Sequence, residues 1–248
     1  MDLYPTIFRR KSIRNYISNP LNEKVLNEVK TQLQKLEPLY ENIEIETKIL
    51  SPEEVNQRMM KKAPHYIAVF SQEKEDYKSN LGYMIQQMDL YLSKRGIGAC
   101  WQGIPTINKK VREQTDLKFV ILLAFGEANE QLHRSDVSEF KRKRFEEISN
   151  NTEAQDIIEA ARLAPSATNS QPWYFTGDKH VINAYMVKPG RIRKLITGKY
   201  PPIDMGIALY HLKVAGEHFN HKVNIIKNDE TMNNSPINTE YVASLKLD

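Results

Sequence analysis

Apolar positions recur at two different periods along the chain, and the switches between them predict its elements. From Asn22 to Leu36 the residues Val25, Leu26, Val29, Leu33 and Leu36 lie on one helical face, and Pro38 ends that helix. Ile43, Ile45, Thr47 and Ile49 then alternate with Glu44, Glu46 and Lys48, the period of a half-buried strand. Tyr66 to Phe70 predicts a short apolar strand. A long helix follows with Leu81, Met84, Ile85, Met88 and Leu92 on one face, closed by Gly96. Val120 to Phe125 predicts a buried strand stopped by Gly126. The charged stretch from Asn129 to Asn150 has no apolar periodicity before Phe140 and is expected to form an extended arm.

A second series begins near Thr152. Ile157, Ile158, Ala161 and Leu163 predict a helix that runs into Ala164-Pro165, and strands follow at Trp173 to Thr176 and Val181 to Met186. Met205, Ala208, Leu209, Leu212 and Ala215 mark another helix, and Val223 to Ile226 is expected to be the last strand. The polar stretch Asp229 to Asn238 is expected to be poorly ordered. Both series therefore read helix, strand, strand, long helix, strand. Aligning Gly82 with Gly206 sets Leu81, Met84, Ile85 and Met88 opposite Met205, Ala208, Leu209 and Leu212. Any two amphipathic helices align somewhere, so this alone is weak support for a duplication. Irregular alternation and the lack of a Gly-rich strand-to-helix turn argue against a Rossmann sheet and for an α+β sandwich. The expected halves are residues 1–149 and 150–248, folded as one compact unit.

Composition narrows the picture without changing it. The 248 residues are 40% hydrophobic and 27% charged, with mean hydropathy −0.56, as in ordinary globular proteins. The longest apolar run, Phe119 to Phe125, is far short of the ~20 residues of a membrane span. The N-terminus lacks an apolar signal region, so a cytoplasmic protein without a membrane partner is expected. The single cysteine, Cys100, excludes an intrachain disulfide and a multi-cysteine zinc site. The six histidines form no ligand motif, so no metal site is expected. No GxSxG, GxxxxGK[ST] or GxGxxG segment is present.

The net charge of +4 is mild, and its densest basic clusters are Arg9-Arg10-Lys11 with Arg14, and Lys141-Arg142-Lys143-Arg144. Neither has interleaved aromatics, so nucleic acid is not expected; a small anion fits such clusters better, and solvated surface charge is the competing reading. In an extended segment Arg10, Ser12 and Arg14 would project the same way and suit an anion or a carbonyl-rich ring edge. A charged turn beside a helix is the equal alternative. Between Pro165 and Pro172, the small residues Ser166, Ala167, Thr168 and Ser170 permit close backbone approach to a planar ligand. Asn169 and Gln171 add directional hydrogen bonds there. Gly96 to Gly103, with Cys100-Trp101-Gln102, reads as a glycine-punctuated exit from the long helix.

These three segments together resemble the FMN-dependent nitroreductase family: Arg-x-Ser-x-Arg at Arg10–Arg14, Pro-Ser-Ala-Thr-Asn-Ser-Gln-Pro-Trp at Pro165–Trp173, and Cys-Trp-Gln-Gly at Cys100–Gly103. Asn56 lies where the family often has a flavin-contacting Asn, and Lys141–Arg144 resembles its C-terminal phosphate-binding element. The order departs from ordinary members, in which the Pro-Ser loop follows the Arg-x-Ser-x-Arg segment within about one helix. At that place this chain has Glu37-Pro38-Leu39-Tyr40-Glu41-Asn42. It resembles a subgroup of two fused units, each of which has lost part of its site. The resemblance implies a nitroreductase-like α/β sandwich of two fused, degenerate halves.

The same resemblance implies FMN as cofactor and NADH or NADPH as co-substrate. Hydride would pass through flavin N5 in a ping-pong cycle to small nitroaromatic or quinone acceptors, with no catalytic side chain required. The implied flavin contacts are Arg10, Lys11, Ser12, Arg14, Asn56, Gln102, Gly103, Arg142, Lys143, Pro165, Ser166, Ala167, Asn169 and Gln171. Arg10 and Ser12, with Arg142 or Lys143, would hold the phosphate, and Arg14 would sit near N1 and O2. One FMN per chain is expected, in a monomeric pseudo-dimer or a weak homodimer. The alternative is a flavin-binding protein without turnover, a redox sensor or FMN carrier.

Overall fold

The alternation around Ile45 becomes strand β1 (Ile45–Leu50), the first edge of a sheet whose interior strands are the most apolar segments of the chain. The computed structural model describes residues 1–57, 62–190 and 198–248. In order come β1, β2 (Val55–Asn56), β3 (His65–Ser71), β4 (Gly98–Gln102), β5 (Thr106–Ile107) and β6 (Lys118–Gly126). After them come β7 (Trp173–Gly177), β8 (Val181–Val187), β9 (Val223–Ile226) and β10 (Thr239–Leu247). The principal described helices are Glu23–Leu33, Tyr77–Lys94, Gln155–Arg162 and Pro201–His218. The pairings between these strands are antiparallel, in keeping with the α+β expectation.

Two compact units divide the chain. One comprises Arg9–Tyr77 and Met84–Asp136, and the other Met1–Phe8, Lys78–Tyr83 and Val137–Asp248. In the first, the sheet order is β1-β3-β6-β4, with β2 and β5 forming a small separate ribbon. Strand β3 is buried at every position, because as an interior strand it is covered on both faces and needs no polar alternation. Tyr66, Ala68, Phe70, Leu122 and Ala124 pack with Ile13, Leu50 and Val55 into the core of this unit. The side chain of Asn22 accepts from Val25 N–H and caps the helix Glu23–Leu33.

The second unit holds the sheet β7-β8-β10-β9. Each sheet thus runs first, second, fourth, third by its own strands in chain order, and in each a long helix links the second strand to the third. The helix Pro201–His218 is buried nearly all round, as a helix enclosed by its neighbours must be. His211 in that helix is fully buried and sits 2.8 Å by Nδ1 from the Ala160 carbonyl, a packing histidine rather than a ligand. None of the described helices is long and apolar enough to cross a membrane.

Two expectations are corrected. β9 is not the last strand, and Asp229 to Asn238 is not a loose tail. Asn228 accepts from Thr231 N–H to cap a short helix, Asp229–Asn233, and the chain then enters β10. β10 is an interior strand of its sheet, with Tyr241 through Leu245 buried. The glycine-rich helix exit is also ordered, as edge strand β4. Gly98 belongs there because a Cβ would come within 2.9 Å of the Ile13 side chain. Gly96, at φ +78°, makes the left-handed turn out of the helix.

Candidate functional site

In the first unit, the segment Arg10–Arg14 runs beside β4, the strand that carries Gln102. After a short helix at Tyr4–Ile7, an extended segment bridges Ser12 to Ala99 of β4, and Ile13 N–H donates to the Ala99 carbonyl at 2.9 Å. Ile13 points into the core with no exposure, so strand alternation sets Ser12 and Arg14 on the other face. Arg14 is exposed, and its guanidinium makes no ion pair among the described residues; its Nη1 donates to the Ser12 carbonyl at 3.5 Å. Lys11 instead pairs with Glu130 at 3.0 Å and donates to the Gln131 carbonyl. The Glu130 carboxylate also accepts from the backbone N–H of Arg14 and Asn15, fixing the segment.

Arg10 is only 2% exposed and is committed to other protein groups. Its Nε donates to Asp89 Oδ2 at 2.5 Å, and Nη2 donates to Ser12 Oγ at 2.9 Å. Gln86 Nε2 donates to the same Asp89 oxygen at 3.2 Å, and Trp101 Nε1 donates to Gln86 Oε1 at 3.2 Å. Burial pushes the Cys100 thiol above its usual pKa, against the pull of Arg14 and Arg10, so it remains a protonated thiol at neutral pH. On the same strand, Gln102 is 3% exposed, and neither its amide oxygen nor its amide nitrogen has a hydrogen-bond partner among the described residues. Asn56 lies on β2 and donates to the Ile107 carbonyl at 3.3 Å.

The second unit contains the other candidate residues. After the helix Gln155–Arg162, the chain passes through Pro165 and Ser166 into a tight loop with positive φ at Thr168, Asn169 and Gln171, 53°, 56° and 48°. Three non-glycine residues in the left-handed region cost conformational energy, and the surrounding hydrogen bonds must hold them there. Arg142 supplies two: Nη1 donates to Asn169 Oδ1 at 2.7 Å and Nη2 to the Leu163 carbonyl at 3.1 Å. Lys143 donates through its backbone N–H to Gln171 Oε1 at 2.7 Å and through Nζ to the Gln171 carbonyl at 3.0 Å. Ser166 Oγ accepts from Gln171 N–H at 2.9 Å. The basic run and the loop, read separately in the sequence, thus form one clasp.

Asp204 was not a sequence candidate, yet it anchors this loop. It lies in the first turn of the helix Pro201–His218, 3% exposed. Ala167 N–H donates to Oδ1 at 3.0 Å, and Ser170 Oγ lies 3.4 Å from Oδ2. Burial raises the Asp204 pKa to about 8, with these two contacts opposing the rise. The folded state therefore retains a proton that the unfolded chain loses near the usual carboxylate pKa of about 4. Stability is expected to fall as pH rises from there to about 8. Asp204→Asn keeps an amide oxygen to accept from Ala167 N–H but removes the titrating carboxyl, and should flatten that dependence. Urea unfolding across the pH series checks this; an unchanged slope in the variant contradicts it.

Asp89 was missed in the same way. Its signal was legible: it is the lone acid of the helix Tyr77–Lys94, and an acid must find a partner once buried.

The antiparallel α+β architecture is that of the nitroreductases. A crystal structure described as "a putative nitroreductase" from Thermotoga maritima msb8 superposes with TM-score 0.68 at 20% identity, covering 100% of this chain and 94% of that one. A nitroreductase family protein from Clostridium difficile 630 gives TM-score 0.48 at 15% identity, covering 59% of this chain and 96% of that one. No curated protein matches the sequence. A family model described as "Putative TM nitroreductase" matches residues 2–216. The chain belongs to that nitroreductase family.

Proposed function

We propose that this protein is an FMN-dependent oxidoreductase that takes hydride from NADH or NADPH and reduces small nitroaromatic or quinone acceptors. The observation that carries the reading is the pairing of the Arg-x-Ser-x-Arg segment with the strand that bears Gln102. A buried amide with both polar atoms unpaired costs folding free energy, on the order of 1–3 kcal/mol per group, unless a ligand completes it. A flavin ring edge, which alternates hydrogen-bond donors and acceptors, suits one amide oxygen and one amide nitrogen. Family membership and the resemblance of this segment to the family's flavin-binding element supply the rest of the case.

When bound, FMN supplies the hydride-accepting and hydride-donating centre, which no side chain can provide. Arg14 offers an exposed guanidinium that would stabilise negative charge developing on the reduced ring. Ser12 offers a hydroxyl to the phosphate. Gln102, with the adjoining Gly103, would fix the ring edge. The same reading takes the chain as an internal duplication with one flavin per chain. It is supported by the shared strand order of the two sheets and by one Arg-x-Ser-x-Arg and one Pro-Ser-Ala-Thr-Asn segment in the sequence. The purified protein should show a flavin absorption spectrum that bleaches when NADH or NADPH is added without oxygen. A spectrum that persists through both additions favours a flavin carrier or sensor over an enzyme.

A further inference from the structure

We infer that Asp89 is a positioning residue: acting through Arg10, it fixes the Ser12 hydroxyl as a hydrogen-bond donor for an anionic oxygen of the ligand, namely the phosphate of FMN. The inference rests on the flavin reading above and adds to it a residue that never touches the ligand.

The argument follows the direction of each proton. Trp101 Nε1 can only donate, so Gln86 must turn its amide oxygen toward the indole and its nitrogen toward Asp89. Arg10 can only donate, and it gives Nε to Asp89 and Nη2 to Ser12 Oγ. A hydroxyl that accepts from a guanidinium has its own proton left to give, and the cation polarises that O–H bond. The Cys100 sulfur also lies within reach of the hydroxyl, and it is a weak acceptor. An anionic oxygen is a far better one. The chain of bonds that runs from Trp101 through Gln86, Asp89 and Arg10 therefore ends in a donor hydrogen on Ser12.

Burial makes the arrangement rigid. Asp89 is 1% exposed and Arg10 2%, so water does not compete for either group. The carboxylate neutralises the Arg10 charge, leaving the exposed Arg14 as the cation of the segment and Arg10 as the holder of Ser12. Without Asp89, the Arg10 side chain loses the contact that orients its guanidinium, and Ser12 becomes an ordinary rotor.

The test is a double-mutant cycle read by binding, not turnover. Apoprotein is titrated with FMN and with riboflavin, which lacks the phosphate, for wild type, Asp89→Asn, Ser12→Ala and the double variant. Each single variant is expected to weaken FMN binding about tenfold, the double variant no more than about threefold further, and riboflavin binding by less than about twofold. Because Asp89→Asn leaves a buried guanidinium without its counterion, the pair Arg10→Met with Asp89→Leu is titrated as well. It removes both charges together and should show the same FMN-selective loss. Equal weakening of FMN and riboflavin, or additive effects of Asp89→Asn and Ser12→Ala, overturns the inference while leaving the flavin reading intact. A wild-type protein that binds neither ligand overturns the flavin reading and this inference with it.

Discussion

Gly206→Ala is expected to lower unfolding stability by about 3 kcal/mol or more, a large share of the ~5–15 kcal/mol that holds an ordinary domain folded. A Cβ at Gly206 would lie 2.0 Å from the Ser79 carbonyl oxygen and 2.7 Å from Tyr83 N, and one at Gly82 would lie 2.2 Å from the Ile203 carbonyl oxygen. These obstacles are backbone atoms of the facing helix, which cannot rotate aside as a side chain can. The two contacts are also reciprocal: each glycine meets the backbone of the residue three before the other glycine. The helices touch there along their own backbones, and any added atom must push them apart. Gly190→Ala is the control, since a Cβ there meets nothing within 4 Å, and a change within about 0.5 kcal/mol is expected. Urea midpoints at constant slope provide the comparison, and equal midpoints for the two variants would refute the helix-contact account.

Arg10→Met should destabilise the apoprotein by about 3–5 kcal/mol, because it leaves the Asp89 carboxylate buried without a cation. A simple ligand contact at Arg10 would predict no such effect in the absence of ligand. Adding Asp89→Leu to Arg10→Met should restore most of the lost stability, since two apolar groups need no counterion. If Arg10→Met melts like wild type, the pair contributes nothing to the fold. Arg10 would then be free to serve the ligand alone, as the sequence pattern suggests.

How far the fold could be read depended on how local its causes are. β3 and β6 were legible because an interior strand of a sheet shows an unbroken apolar run, and the long helices because burial on most sides leaves a dense apolar face. β4 was missed because Gly98 and Gly96 signal a loop, whereas the need for glycine at Gly98 comes from Ile13, far away in the chain. β10 was missed as an element because the Asn-, Ser- and Pro-rich segment before it suggested that the order had ended. At the candidate site, the Arg-x-Ser-x-Arg spacing suggests that Arg10, Ser12 and Arg14 share one side of an extended segment, but it could not show that Arg10 would turn inward to Asp89. The hydrogen bonds of Arg142 to Asn169 and of Lys143 to Gln171 join segments whose only link is the folded backbone, and neither segment carries a local mark of the other.

The most direct test of the account is calorimetric titration of the apoprotein with FMN, followed by anaerobic addition of NADH or NADPH to the complex. The account predicts saturation at one FMN per chain and loss of the flavin absorbance with at least one of the two donors. A chain that binds no FMN would contradict it.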